Sequence, residues 1–308
     1  MAMEGAQATR GATDIGPTGP RIPELSVDAS LETQLDAYNR SGVVILHDVI
    51  KPELLKTLND QIDPWMEEIP LGCINSEDPG TQDFMGGRTK RLTRTLVRSR
   101  EIREQVALTP RVLELAKAIL LPYCKNIRMH TLQVIEIHPG EEAQKLHRDD
   151  GLWPVPGTRY PLSLSVQFAL SDYEAEIGAT RVVPGSQHWP ESKFFQEAHW
   201  RDFCRPPAHL SADRVDAVEM PAGSAVIWSG QILHGAGANT TADRFRRCIG
   251  TGFHLGWLIG EANLTLLYPP EIAKGFPQEL QRLMGYQLHG ILGGLETGED
   301  PITLLEDR

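Results

Sequence analysis

The sequence is poor in cysteine, and what cysteine there is forms no framework. Cys73, Cys124, Cys204 and Cys248 are scattered along 308 residues without a CxxC pair. That excludes a disulfide scaffold and a zinc knuckle, and it suits a reducing compartment. No apolar run approaches the ~18 residues that a membrane span needs. The opening MAMEGAQATRGATDIGPTGP has no basic start followed by an apolar stretch, so a cytoplasmic protein without a membrane partner is expected. Basic charge is also in deficit: 30 Lys and Arg against 41 Asp and Glu give a net charge of -11. That balance argues against a nucleic-acid partner. The length is ample for a buried core without covalent staples.

What the chain does contain falls into two styles. Residues 1–22 are rich in Gly, Ala, Thr and Pro and read as a flexible arm. Helical spacing follows over Val27–Arg40, Lys51–Glu68 and Pro110–Leu121, with a buried strand at Gly42–Leu46 between the first two. Residues 69–87 read as a loop and Arg88–Val97 as extended. After Lys125 come strand-like segments at Ile127–Ile137, Leu162–Leu170, Thr180–Val183, Ala225–Trp228, Ile232–His234 and Phe245–Phe253, separated by Gly/Pro turns. Helices followed by an antiparallel β core from about 88 to 260 predict a sandwich or barrel. A last helix is expected over Pro277–Gly285.

Ten histidines make imidazole the ligand to look for in a protein so short of thiols. In His147-Arg148-Asp149 an extended backbone would turn imidazole and carboxylate to one face. By itself this is a weak signal, since a surface histidine beside an acid is common. The context strengthens it. The pair leads into an irregular Gly151–Gly157 loop, and 85 residues later His234 closes a short apolar strand before a Gly-rich turn. Two His and one carboxylate presented by β strands are the facial set of non-haem Fe(II) oxygenases, which leaves positions open for O2 and a reductant. With 2-oxoglutarate as the expected reductant, its far carboxylate needs a cation. Arg246, twelve residues beyond His234, suits a bidentate carboxylate contact. Arg247 should point to the opposite face of the same strand.

Three runs, AQKLHRD at 143–149, EIGATRVVPGSQHW at 176–189 and HGAGANTTADRFRR at 234–247, resemble the phytanoyl-CoA dioxygenase family of Fe(II)/2-oxoglutarate oxygenases. The likeness spans roughly residues 30–275. It implies a mainly β fold with flanking helices, built on a double-stranded β-helix (jelly-roll, cupin-like) core over 23–275, with 276–308 packed on the same domain. It implies His147, Asp149 and His234 as iron ligands and Arg246 as the 2-oxoglutarate anchor. Gln144 and Thr180 match positions near the cosubstrate, and Gln133 on the preceding strand is a weaker candidate. Halogenating relatives lack the carboxylate present here as Asp149, so halogenation is not expected. The activity implied is oxidation of an unactivated C–H bond in a small molecule, a secondary metabolite by preference, with release of succinate and CO2. Alternatives are acyl-CoA or fatty-acid hydroxylation within the family, a binding protein without turnover, and a zinc hydrolase. Homodimers are common among tailoring relatives, and no motif in the chain fixes one.

Other residues compete for attention. His188, His199, His209 and His254 are rival ligands, of which His188 reads as a turn stabiliser and His254 as a core or pocket residue. His47, His130, His138 and His289 have no partner at ligand spacing. The basic run Arg88, Lys90, Arg91, Arg94, Arg98, Arg100 and Arg103 reads first as a solvated face and second as a site for an acidic substrate group. Trp153, Tyr160 and Trp257 could wall a pocket. Arg148 and Asp150 receive no chemical role. The loops at 69–87, 150–160 and 188–215 are expected to select the substrate.

Overall fold

The computed structural model describes residues 22–72, 77–155, 158–189, 210–296 and 298–306. The cysteines at 73 and 204, the histidines at 199 and 209, and nearly all of the N-terminal arm lie outside these residues.

Local chemistry explains where the flanking helices start and stop. Helix α1 (Leu31–Ser41) begins where the Ser30 side chain accepts from the Thr33 amide, and it ends at Gly42, whose φ of 77° places it in the left-handed region. Helix α2 (Pro52–Glu67) and helix α5 (Pro110–Leu120) each begin on a proline, the residue that loses nothing at a first turn. After two single-turn helices, α6 (Leu264–Leu267) and α7 (Pro270–Ala273), helix α8 (Gln278–Met284) lies between Pro277 and the left-handed Gly285. Leu280, Leu283 and Met284 on α8, with Ile302 and Leu305 beyond it, join the same core as α5.

Among the described residues, ten strands build two sheets. They are β1 (Glu24–Ser26), β2 (Val43–His47), β3 (Thr89–Leu92), β4 (Ile127–Ile137), β5 (Ser163–Ala169), β6 (Arg181–Val182), β7 (Asp216–Ala217), β8 (Ala225–Ser229), β9 (His234–Gly235) and β10 (Arg246–Leu255). The larger sheet runs β1-β2-β8-β5-β10-β4-β3 and the smaller β7-β6-β9. All pairings are antiparallel except β1 with β2. The result is the jelly roll, mainly β with flanking helices.

Period-two alternation sorts the side chains of the larger sheet. Val44 and Leu46 of β2, Val166 and Phe168 of β5, and Ile227 of β8 face outward into a core shared with Leu58 and Ile62 of α2 and Leu115 of α5. Val43, Ile45, Ala169, Val226, Trp228 and Cys248 face inward and pack against Val182 of the smaller sheet. The same alternation separates the two arginines that open β10. Arg246 turns inward. Arg247 turns outward, where its Nε lies 2.6 Å from Glu136 Oε1 and its Nη1 lies 2.7 Å from Asp63 and 2.8 Å from Asn59 on α2.

Several local expectations change. The β framework starts at Glu24, because β1 runs parallel to β2 in register from Glu24 with Ile45 to Ser26 with His47. Three residues carry no periodic signal, so β1 is recognisable only by its partner. The 69–87 loop contains helix α3 (Pro79–Met85), capped by Asp78 accepting from Thr81. The extended reading of 88–97 holds only for β3. Arg94 enters the left-handed region at φ 59°, and helix α4 (Thr95–Arg98) follows. Helix α1 starts at Leu31 and not at Val27, since Ser30 is its cap.

The outward cluster is a buried ion pair with consequences for stability. Burial alone would raise the Glu136 carboxyl, but the hydrogen bond from His138 and the Arg247 charge outweigh it and hold the group below its ordinary range. Its contribution is therefore present above the unfolded carboxyl pKa and is lost as pH falls through the lower folded value. Replacing Arg247 with leucine strands a buried carboxylate and is expected to destabilise the fold by about 3–5 kcal/mol. Urea unfolding at neutral pH measures this, and the acid-side loss of stability should shrink in the variant. An unchanged urea midpoint in Arg247→Leu would show that the pair contributes nothing.

Candidate active site

The site is assembled at the seam between the two sheets. His147 and His234 exchange backbone hydrogen bonds, each amide lying 2.9 Å from the other's carbonyl oxygen. This reciprocal pair brings together segments 87 positions apart in the chain. Arg148 is extended (φ -121°, ψ 128°), so Asp149 returns to the face that His147 occupies and opens a 3-10 turn. His147 Nε2 lies 3.6 Å and His234 Nε2 3.4 Å from Asp149 Oδ1. The three ligand-type atoms all fall within 4.8 Å of one another, the one such grouping among the described residues.

Both imidazoles are oriented by their second nitrogen. His147 Nδ1 donates to the Lys145 carbonyl at 2.9 Å and His234 Nδ1 to that of Ile232 at 3.2 Å. A carbonyl only accepts, so the proton is assigned to Nδ1 and the Nε2 lone pair faces the centre. Burial would push the Asp149 carboxyl up, but His234 and His147 hold it well below the usual range. Burial lowers His147, and the His234 charge adds to that. For His234 burial is outweighed by Asp149, and its pKa is raised. A half-buried anion between two inward lone pairs is a donor set suited to a divalent cation.

Support for this set comes from residues that the sequence did not expose. Ser165 on β5 donates its hydroxyl to Asp149 Oδ2 at 2.6 Å, which fixes the carboxylate's rotation. The only hint was the polar alternation of Ser163 and Ser165 within LSLSV. Asp150 turns away from the centre. It accepts from the amides of Leu162 and Ser163 and from the Ser163 hydroxyl, and burial pushes its pKa up to about 7. Arg148 donates to the Ser186 carbonyl at 2.8 Å. These two neighbours therefore pin the ligand segment to β5 and to the turn after β6.

A cleft opens beside the centre in two lobes with shared walls. One is about 810 Å³ and is lined by Arg246, Thr180, Gln167, Gln144, Trp228 and His234. The other is about 310 Å³ and is lined by His147, Asp149, His234, Gln133, Gln144 and Ser165. Arg246 is 1% exposed. It donates to the Gly178 carbonyl and the Tyr173 hydroxyl, both at 3.1 Å, and lies over the Tyr173 ring. No carboxylate among the described residues pairs with it. A buried guanidinium without an acid is costly, and that fits a site for an anionic ligand. Thr180 donates to Gln167 Oε1 at 2.8 Å. Gln144 holds two backbones, donating to the Phe84 carbonyl and accepting from the Ala236 amide, both at 3.0 Å. Gln133 lies in the smaller lobe, away from Arg246 and Thr180.

The rival residues have structural partners. His188 reaches the Asn39 carbonyl and ties its turn to α1. His254 is buried and bonded to the Leu255 carbonyl, with burial pushing its pKa down to about 3. His138 pairs with Glu136, and His289 accepts from the Lys125 amide. Most of the basic run is packing or surface pairing: Lys90 donates to Met66, Arg98 lies over Trp65, Arg100 pairs with Glu104, and Arg103 lies over Phe276. Arg88 and Arg91 do line the larger lobe. Trp153, Tyr160 and Trp257 line neither lobe. The aromatic walls are Phe84 and Trp228, whose rings lie 4.8 Å from His147 and 5.1 Å from His234.

A jelly roll with two imidazoles and a carboxylate converging at its seam, beside a buried cation, defines the class of non-haem iron, 2-oxoglutarate-dependent oxygenases. Within that class the chain belongs to the phytanoyl-CoA dioxygenase (PhyH) family, whose profile matches residues 38–248. Curated relatives include the multifunctional dioxygenase prhA of Penicillium brasilianum, 28% identical over 274 residues and 87% of each chain. Another is the dioxygenase aneA of Aspergillus aculeatus, 29% identical over 264 residues and 84% of each chain. Among solved structures, the fold resembles the alpha-ketoglutarate-dependent epimerase SnoN from nogalamycin biosynthesis. Its TM-score is 0.55 at 20% identity, over 74% of this chain and 82% of that one. It also resembles the carbocyclase SnoK, with a TM-score of 0.56 at 18% identity over 78% and 88%.

The Asp150 anchor depends on the space at Gly230. A Cβ there would lie 2.1 Å from Asp150 Oδ1 and 2.2 Å from Ser163 Oγ. Gly230→Ala is expected to displace this anchor and destabilise the protein by about 1–3 kcal/mol. Thermal melting is the measurement, and a wild-type midpoint would show that the anchor tolerates displacement.

Proposed function

We propose that the chain is an Fe(II)/2-oxoglutarate-dependent dioxygenase in which His147 Nε2, His234 Nε2 and Asp149 hold the iron. The observation that carries this reading is the mutual approach of these three groups, each oriented from behind by a carbonyl or a serine hydroxyl. Arg246 anchors the far carboxylate of 2-oxoglutarate, and Thr180 borders the same lobe. Gln144 acts on the cosubstrate wall by holding Phe84 and Ala236 in place. Iron, 2-oxoglutarate and O2 together supply the oxidising power to attack an unactivated C–H bond, with release of succinate and CO2.

The chain's own residues set the conditions for that chemistry. Asp149, charged and fixed by Ser165, contributes the anion that a divalent iron needs. Trp228 and Phe84 cover the imidazoles and keep bulk water from the ligand atoms. Arg246, dry and fixed by Tyr173 and Gly178, gives the cosubstrate one orientation relative to the histidines.

The substrate we propose is a small organic secondary metabolite. The support is the likeness to SnoN and SnoK, which come from the biosynthesis of nogalamycin. Acyl-CoA hydroxylation is the alternative that Arg88 and Arg91 favour, since both border the larger lobe. Each also donates to a backbone carbonyl, that of Pro139 and of Met85 respectively, so neither is reserved for a ligand. The setting we propose is cytoplasmic, with no nucleic acid or membrane as partner. No described helix is long and apolar enough to cross a membrane. A homodimer is the assembly to test by light scattering.

Anaerobic addition of Fe(II) and 2-oxoglutarate is expected to give a weak visible charge-transfer band. His147→Ala and His234→Ala should abolish it. Arg246→Leu should weaken 2-oxoglutarate at least tenfold while metal binding persists. Ser165→Ala should cost about 10–100-fold in metal affinity. A band that survives in His147→Ala would overturn the assignment. Succinate release stimulated by polycyclic metabolites and not by acyl-CoA would separate the two substrate classes.

A further inference from the structure

The inner face of β10 reads Arg246, Cys248, Gly250, Gly252 and His254 at alternate positions, so two successive places on the cleft side carry no side chain. The two glycines differ in what lies above them. A Cβ on Gly252 would meet His130 Nε2 at 2.1 Å, so the His130 ring already fills that place. It reaches it through a bulge. Gly252 pairs with Thr131 but Phe253 pairs with Met129, which leaves His130 as the extra residue, turned onto the inner face. A Cβ on Gly250 would meet only Ile135 Cδ1 at 3.3 Å and the Gln133 carbonyl at 4.0 Å. The floor at Gly250 is therefore crowded only by the tip of Ile135 and is bounded by His130 at one end.

Two glutamines flank this floor, since Gly250 pairs with Gln133 on β4 and with Gln167 on β5. Gln167 is committed, because its Oε1 accepts from both Thr180 and Tyr173. Gln133 is 9% exposed and lines the lobe that holds His147 and Asp149, yet no side-chain hydrogen bond among the described residues engages its amide. The amide is open to the lobe and can meet a ligand there. A ligand in that lobe would supply the partner.

We infer that Gln133, standing over the floor at Gly250, is a specificity-determining residue that binds an uncharged carbonyl or hydroxyl oxygen of the substrate. The inference rests on the oxygenase reading of the site and assigns Gln133 to substrate, not to cosubstrate. Position along the strand supports this. Gly250 lies four residues from Arg246, roughly 13 Å at ~3.3 Å per residue, and Gln133 is absent from the lobe that Arg246 lines. Gln133 therefore lies clear of the carboxylate that Arg246 would hold. An amide carries both donor and acceptor without charge, which matches a ketone or an alcohol. Leu152, Phe84 and Trp228 give the same lobe an apolar wall.

The test uses progesterone, a neutral polycyclic diketone, as the probe, with equilibrium dialysis of the full-length protein. Wild type should bind it saturably. Gln133→Leu should weaken binding at least fivefold and Gly250→Val at least tenfold, while 2-oxoglutarate affinity from the anaerobic band stays within twofold of wild type in Gln133→Leu. Gly250→Ala, with its smaller demand on space, replaces Gly250→Val if the latter does not fold. Saturable binding absent from wild type, binding unaltered in the variants, or a loss of 2-oxoglutarate affinity in Gln133→Leu would each overturn the assignment. Failure of the oxygenase reading is distinguishable, because it appears as a missing Fe(II)/2-oxoglutarate band in wild type, which the dialysis does not measure.

Discussion

The reciprocal backbone pair between His147 and His234 is the constraint on which the site depends. Two amide-carbonyl bonds fix the separation of two segments that enter from different parts of the chain. Once they are fixed, the ring nitrogens have little freedom, because each Nδ1 is already committed to a carbonyl two residues back. Asp149 is then placed by one extended residue, and its rotation is set by Ser165. The donor set therefore owes its geometry to the backbone of the jelly roll more than to packing of the side chains themselves. Rigid placement of this kind is what a metal centre requires, since ligands that must be gathered on binding cost affinity.

Strand β10 shows how one element serves two ends. Its outward arginine, Arg247, closes a buried ion cluster that joins α2 to the sheet, and its inward arginine, Arg246, stands bare of acids in the cleft. The neighbours decide between these fates. On the outer face Glu136 and Asp63 meet the guanidinium. On the inner face, among the described residues, a carbonyl, a phenol and a thiol do. The same residue type is a strut on one side and, in the function proposed, a receptor on the other.

Much of this was legible in the residues themselves. The proline and glycine around α8, the i and i+2 spacing of His147 and Asp149, and the opposite facing of Arg246 and Arg247 all follow from backbone periodicity and turn chemistry. What stayed hidden depends on partners far away in the chain. Strand β1 is three residues that become a strand only against β2. Helix α3 had its Asp-Pro start in plain view but sat among glycines. Ser165 and Asp150 are ordinary until the fold sets them against the ligand segment, and the bulge that turns His130 inward exists only as a shift of register between two strands.

The alternation on β10 also bears on how such a protein can change over generations. Substitutions on its outer face disturb the ion cluster at Arg247 or the core at Ile249 and Phe253 and are removed for reasons of stability. Those at Arg246 would disturb the proposed cosubstrate anchor. The bare inner position at Gly250 touches neither, so a small substitution there, met only by the end of Ile135, can reshape the floor of the cleft while the fold and the proposed iron centre persist. A lineage built on this strand can drift toward new substrates one floor residue at a time, without passing through an unfolded or metal-free ancestor.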